Sequence, residues 1–246
     1  MPFRNDYDDS TRAAAYARLQ FPGTYELAFR DLPEIIHRHS RGKKALDFGC
    51  GAGRSSRFLE RLDFQTTGID ISAQMLANAR QLDPDGDYRQ VEDSGSVPFA
   101  DSIFDLAFSA FTFDNIPTYK KKEILFSELR RVLKPDGRLI LLVSTPEMYL
   151  NEWASFSTRD FTDNHRARTG DPVRIVNKAA GDTTPVTDIL CPDQEYHHLF
   201  SAAGLELLEM RKTLARPEET GPWISETRTA PWCIYILRPM PKPVFR

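Results

Sequence analysis

Chemistry in this chain is concentrated in one short run, Asp47-Phe48-Gly49-Cys50-Gly51-Ala52-Gly53, where an apolar stretch ends and a helical period begins. Glycines at such a junction let the backbone turn tightly and approach a ligand closely, and the helix start beyond them presents unpaired N–H donors. Asp70 closes the next apolar stretch, about 20 residues on, where a carboxylate can accept both hydrogen bonds of a ribose diol. Together these residues describe a site for an adenosine-containing ligand. A dinucleotide fingerprint would need G-x-G-x-x-G, but Arg54 stands where its third glycine belongs and Gly53 comes one residue early. NAD is therefore disfavoured. Asp47 would sit awkwardly beside a pyrophosphate, yet it suits the cationic ammonium of an amino-acid moiety, directly or through a water. A sulfonium amino acid fits the pattern better.

A second group of candidates lies further along. Phe113-Asp114-Asn115 follows an apolar strand, and a long segment beyond it carries Tyr149, Trp153, Phe156, Arg159, His165 and Arg166. Aromatic walls with a few polar groups suit a flat acceptor. Trp153 reads as such a wall or as a seal between segment and sheet, and His165 as a base or an exposed loop residue; Asn115 completes the catalytic candidates. Lys120-Lys121-Lys122 reads as a solvated helix start. Cys50, Cys191 and Cys233 are odd in number, far apart and without zinc-ligand spacing, so neither a disulfide nor a metal is expected.

The elements that must position these residues alternate clearly. Ala45 to Phe48 is a strand, Phe58, Leu59 and Leu62 fall at helical spacing, and Thr66 to Asp70 is the second strand. Ser72 caps a helix over Ala73 to Leu82, Asp83 to Gly86 is a turn, and Tyr88 to Val91 is the third strand. Phe104 to Phe111 is the fourth. Ile124, Leu125, Leu129, Val132 and Leu133 share a helical face, Pro135-Asp136-Gly137 turns, and Leu139 to Val143 reads as a central strand covered on both faces. Repeated βα units imply an α/β, doubly wound, mostly parallel sheet. Ahead of it, Ala13 to Leu19 and Tyr25 to His39 read as helices interrupted by Phe21-Pro22-Gly23; after it, Glu195 to Ala203 is a helix and Leu205 to Met210 and Trp232 to Leu237 are strands. The chain divides into a helical cover over 1–40, a ligand-binding core over 41–145, a cap insertion over 146–192, too long and irregular for a connector, and completion of the sheet over 193–246.

The strings ALDFGCGAGRSS, TGIDIS, VEDSGSVPF, FDLAFSAF and LRRVLKPDGRLILLV, in that order over about residues 42 to 145, resemble the motifs of class I S-adenosylmethionine-dependent methyltransferases. The resemblance implies a seven-stranded sheet and S-adenosyl-L-methionine as cofactor. It places Gly49, Gly51 and Gly53 along the methionine and ribose, Asp70 on the ribose hydroxyls, Ile71 against the adenine, Asp93 with Ser94 at the adenine's amino edge, and Ala110 and Phe111 facing the methionine and the acceptor. Tyr16, and Tyr7 before it, would close over the cofactor. Gly95-Ser96 departs from the acidic and bulkier residues common in the family. Methyl transfer from a sulfonium is an in-line displacement with a good leaving group, so alignment is expected to contribute more than proton abstraction.

Several partners are disfavoured. With 32 Lys and Arg against 35 Asp and Glu the formal charge is −3, and no polyanion is attracted by bulk electrostatics. The D/N-P-P-Y/F tetrad of nucleic-acid amino-methylating enzymes is absent, the nearest string being Asp114-Asn115-Ile116-Pro117-Thr118-Tyr119. Metal-dependent catechol O-methyltransferases are disfavoured too, since Ser144-Thr145-Pro146 stands where their Asp-Asn pair follows the fifth strand. No apolar run could span a bilayer and the opening MPFRNDYDDS lacks a signal-like apolar stretch, so a cytoplasmic chain is expected. The layout is similar to small-molecule methyltransferases of secondary metabolism, and the cap resembles that of enzymes N-methylating a heterocycle such as the azapteridine of toxoflavin biosynthesis. A protein or RNA methyltransferase and a non-catalytic methyltransferase-like binding module are the alternatives, and oligomeric state is left open.

Overall fold

Alternation along the strands decides how the sheet is covered. In the computed structural model, which describes residues 23–178 and 184–241, the strands in chain order are β1 (Lys44–Phe48), β2 (Gln65–Asp70), β3 (Asp87–Gln90), β4 (Phe104–Ala110), β5 (Leu133–Ser144), β6 (Phe156–Ser157), β7 (Pro172–Asn177), β8 (Val186–Ile189), β9 (Leu205–Thr213) and β10 (Trp232–Pro239). Seven of them make one sheet in the order β3-β2-β1-β4-β5-β10-β9, and β6-β7-β8 make a second, small one. Pairs within β1 to β5 are parallel, while β10 runs antiparallel to β5 and to β9. The mostly parallel, seven-stranded expectation holds.

Residues Leu106, Phe108, Ile140, Leu142, Ile234 and Ile236 point to one face, where they pack with helices α1 (Thr24–Arg30), α2 (Leu32–His39) and α3 (Arg54–Glu60). Their neighbours Ala107, Leu139, Leu141, Val143, Tyr235 and Leu237 point to the other, against helices α5 (Tyr119–Val132) and α6 (Asp193–Ala202). Helix α4 (Ala73–Leu82) lies along the β3 end, its Leu76 and Ala79 against Tyr88 and Cys50. Period-two side chains covered by helices on both faces produce the continuous apolar runs seen in the sequence.

Where the structure departs from sequence expectation, local chemistry accounts for it. The helix expected over Tyr25 to His39 is two helices, because Pro33 in the first turn of α2 lacks an N–H and its ring would collide with the carbonyl four residues back in an unbroken helix. The Pro135-Asp136-Gly137 turn lies within the span of β5, as an irregularity between the pairs Phe104–Leu133 and Leu106–Arg138. Lys122 is not solvated: it is 2% exposed and its Nζ donates to the Phe113 carbonyl at 2.6 Å. The helix expected over Ala13 to Leu19 lies outside the described residues.

Between β5 and α6, residues 146–192 are not irregular throughout. They carry the small antiparallel sheet and two 3-10 turns, Pro146–Tyr149 and Thr162–Arg166. Their apolar side chains Met148, Tyr149, Trp153, Phe156, Val173 and Ile175 join the core on the α1 face.

Candidate active site

Strand order reverses beside β1, which pairs with β2 on one side and β4 on the other, and ligands in open α/β sheets bind at the carboxyl ends of strands where this happens. The Gly-rich loop starts there. The amides of Gly49 and Cys50 both donate to the Ile69 carbonyl, at 2.9 and 3.0 Å, which ties the loop to β2. At Gly49, with φ of +72°, an added Cβ would lie 2.1 Å from Oγ1 of Thr112, whose hydroxyl donates to the Phe48 and Gly49 carbonyls. At Gly51, with φ of +52°, a Cβ would meet Met75 Cε at 2.9 Å. Only glycine leaves both the backbone conformation and the space open.

A pocket opens from this loop. Gly49, Gly51, Asp70, Ile71, Asp93 and Gly95 line one stretch of it, and Ala110, Phe111, Thr112 and Asn115, at the end of β4, line the next. Asp70 is fixed by its own loop: Oδ2 accepts from the Gly51 amide at 2.8 Å and Oδ1 from the Ser72 amide at 2.8 Å. Ser72 in turn caps α4 through Met75 N. Asp93 receives the ammonium of Lys121, another lining residue. Phe111 has a φ of +63°, costly for a non-glycine residue by about 1 to 3 kcal/mol. Its amide is held by the Leu142 carbonyl at 2.8 Å, so β5 keeps the chain turning at the pocket edge.

Asp47 lies beneath the loop and does not line the pocket. It is fully buried, accepts from the Ser55 and Ser56 hydroxyls at 2.7 and 2.6 Å through Oδ2, and leaves Oδ1 without a partner among the described residues. Burial pushes its carboxyl up to about 6. Gly53 likewise serves the turn: it precedes α3 in the left-handed region, and a Cβ there would strike Tyr88 Oη at 2.4 Å. Ser94 lies beside the pocket, its place in the lining taken by Gly95 and Ser96.

Beyond Asn115 a buried polar group joins the core to the 146–192 segment. Asp114 accepts from Ser144 N at 3.0 Å and Ser144 Oγ at 2.8 Å, and burial with the nearby Asp188 drives its carboxyl well above the usual range. Asp188, on β8, accepts from Asn115 Nδ2 at 3.0 Å and from the Tyr149 hydroxyl at 3.0 Å. Burial raises the Tyr149 phenol and lowers the Lys122 ammonium.

The structure thus brings Gly49, Gly51, Asp70, Ile71, Asp93, Ala110, Phe111 and Asn115 together, as the sequence suggested. It does not bring Trp153 or His165 to the pocket. Trp153 is fully buried in the core, with Nε1 donating to the Met148 carbonyl at 2.8 Å, because its large apolar ring contributes most where water is excluded. His165 is exposed on the 3-10 turn Thr162–Arg166. Tyr16 and Tyr7 lie outside the described residues. Sequence reasoning missed Thr112, Lys121 and Asp188. Thr112 carries a weak signal, a hydroxyl at the end of a strand beside a Gly-rich turn, whereas nothing local marks Lys121 or Asp188. Among the described residues no group of three or more His, Cys, Asp and Glu could hold a metal ion, and no helix is long and apolar enough to cross a membrane.

The strand order, the Gly-rich loop and the acidic residue ending β2 define the class I methyltransferase fold. Residues 46–141 match the family model described as "Methyltransferase domain", so this segment is a methyltransferase domain set in a class I methyltransferase-like fold. The chain is 32% identical over 165 residues to the demethylmenaquinone methyltransferase of Thermotoga maritima, covering 62% of this chain and 66% of that one. Against the Bacillus subtilis protein of the same name the match is 33% identical and covers 49% of this chain and 54% of the relative. The chain thus spans between about half and two thirds of these relatives. Among solved structures, the putative methyltransferase of Haloferax volcanii, in complex with the Trm112 methyltransferase activator, superposes with a TM-score of 0.66 at 17% identity, covering 97% of this chain and 99% of that one. The 1,6-didemethyltoxoflavin-N1-methyltransferase of Burkholderia thailandensis superposes with a TM-score of 0.54 at 16% identity, covering 88% and 80%. At such identities the likeness is one of fold.

Proposed function

We propose that this chain transfers the methyl group of S-adenosyl-L-methionine to nitrogen or oxygen of a small aromatic or heteroaromatic molecule. The observation that carries this reading is the continuity of one pocket from the glycine loop and Asp70 to Phe111 and Asn115. The residues present fit the cofactor. Side chains are missing where its backbone-hugging part would lie, at Gly49 and Gly51, and Asp70 is held in place by two amides, its carboxylate in the lining for the ribose hydroxyls. Ile71 with Asp93 offers the adenine an apolar face and a polar edge. When bound, the cofactor supplies a methyl group already activated by positive sulfur. The chain's own contribution is then to align an acceptor and exclude water.

A small acceptor is supported by the 146–192 segment, whose Tyr149, Trp153, Phe156 and Ile175 pack into the core and whose Asp188 holds the pocket residue Asn115. That packing disfavours the open groove a protein or RNA substrate would use, and the net charge of −3 argues in the same direction. The azapteridine acceptor rests on the likeness of fold to the toxoflavin-pathway protein, while the curated relatives are named for quinone and carrier-protein substrates.

The test is calorimetric titration with S-adenosylhomocysteine, then transfer of labelled methyl from S-adenosylmethionine to a panel of hydroxy- and amino-aromatic compounds. Wild type should bind and transfer, and Gly51→Val, folded by circular dichroism, should do neither. Equal binding by that variant would remove the cofactor from the loop.

A further inference from the structure

Asn115 presents only one kind of chemistry to the pocket it lines. Both hydrogens of its Nδ2 are directed at the protein, to the Phe111 carbonyl at 3.3 Å and to Asp188 Oδ1 at 3.0 Å. The Phe111 carbonyl can only accept, so nitrogen must face it, and the carboxamide has a single orientation. Its oxygen accepts no hydrogen bond from the described residues, and the residue is only partly buried. What remains available is an acceptor. The orientation is set from far along the chain: Asp188, 6% exposed on β8, is itself held by the Tyr149 hydroxyl through its other oxygen.

Resting on the methyltransferase reading, we propose that Asn115 Oδ1, oriented by Asp188 and Tyr149, accepts a hydrogen bond from the N–H or O–H of the atom to be methylated. The site would then select donor-bearing nitrogen or hydroxyl nucleophiles and reject carboxylates, whose oxygens would face another acceptor with nothing to donate. In the transfer, the acceptor's lone pair forms the new bond to the methyl carbon and the carbon–sulfur bonding pair stays with sulfur. The acceptor atom gains positive charge while its proton stays bonded to it and hydrogen-bonded to Asn115 Oδ1, and that proton is lost to water afterwards. Because the N–H or O–H becomes more acidic as the bond forms, this hydrogen bond is stronger in the transition state than in the ground state. Asn115 is a catalytic residue in this account, and Asp188 is a positioning residue.

The experiment measures binding of hydroquinone, aniline and benzoate by calorimetry with S-adenosylhomocysteine saturating, and methyl transfer to the same probes. Wild type should bind hydroquinone or aniline at least about tenfold more tightly than benzoate, about the effect of one well-placed hydrogen bond. Asn115→Ala should abolish that preference with S-adenosylhomocysteine affinity unchanged. Asp188→Ala should weaken it and lower kcat, whereas Asp188→Asn, which keeps an oxygen for the Asn115 N–H, should restore much of both. Absence of S-adenosylhomocysteine binding by wild type would remove the methyltransferase reading and this proposal with it. With that binding intact, lack of preference among the probes, or a preference surviving in Asn115→Ala, would overturn this proposal alone. A large loss of S-adenosylhomocysteine affinity in Asn115→Ala would also overturn it, by making Asn115 a cofactor residue.

Discussion

Replacing Asp47 by Asn should change how stability depends on pH, by an amount the structure sets. The carboxyl is fully buried, two serine hydroxyls donate to one oxygen and the other has no partner among the described residues, and burial raises its pKa from 3.8 to about 6. Below about pH 4 the group is protonated in both folded and unfolded chains and has no effect. Between about pH 4 and pH 6 the unfolded chain releases the proton while the folded one retains it, so folding becomes less favourable as pH rises. Above about pH 6 both are ionised and the cost levels off at about 3 kcal/mol, because each tenfold difference in proton affinity between the folded and unfolded chains is worth about 1.4 kcal/mol. Asparagine stays neutral, and its carbonyl oxygen can accept from both serines. Urea unfolding of the two proteins from about pH 4 to pH 8 isolates the effect, since every other group titrates in both. The variant should gain about 3 kcal/mol on wild type across that range. A difference constant with pH would show that Asp47 ionises alike in both states and would refute the reasoning.

Three further outcomes are expected. Asp70→Ala should weaken S-adenosylhomocysteine binding by about 1 to 3 kcal/mol in calorimetry, the scale of a charged hydrogen-bond partner, and should also lower the melting temperature, because the Gly51 and Ser72 amides lose their acceptor. Trp153→Ala should destabilise the fold by about 3 to 5 kcal/mol in urea titration while the folded fraction keeps its cofactor affinity, since the ring is buried in the core away from the pocket; a changed dissociation constant with little loss of stability would return Trp153 to the site. His165→Ala should alter the single-turnover rate by far less than the 10²- to 10⁴-fold expected for loss of a general base, because the residue is exposed on its turn; a wild-type rate limb with a pKa between about 6 and 7, absent in the variant, would make it the base.

Local patterns are enough for the sheet and half the site. Strand and helix periods, the Ser72 cap and the glycine run are properties of neighbouring residues, so β1 to β4, α4 and the places of Gly49, Gly51 and Asp70 in the pocket lining can be read along the chain. Gly53 and Asp47 belong to the loop, as their spacing suggests, but they serve the side away from the pocket. Which face of a turn points at the pocket depends on what packs beneath it, here Tyr88 and the two serines. The aromatic residues of the 146–192 segment mislead for a related reason: composition suits a core and an acceptor wall equally, and only packing against α1 and β10 sends Trp153 and Phe156 inward. Tertiary structure alone decides the rest. Lys122 has no sequence mark separating it from its two lysine neighbours, yet the helix face it occupies buries it beneath Phe113. Asp188 reaches Asn115 across 73 residues of chain, and a hydrogen bond made by such distant residues leaves no period or spacing in the sequence, because it exists only once the fold has brought β8 beside the turn that follows β4.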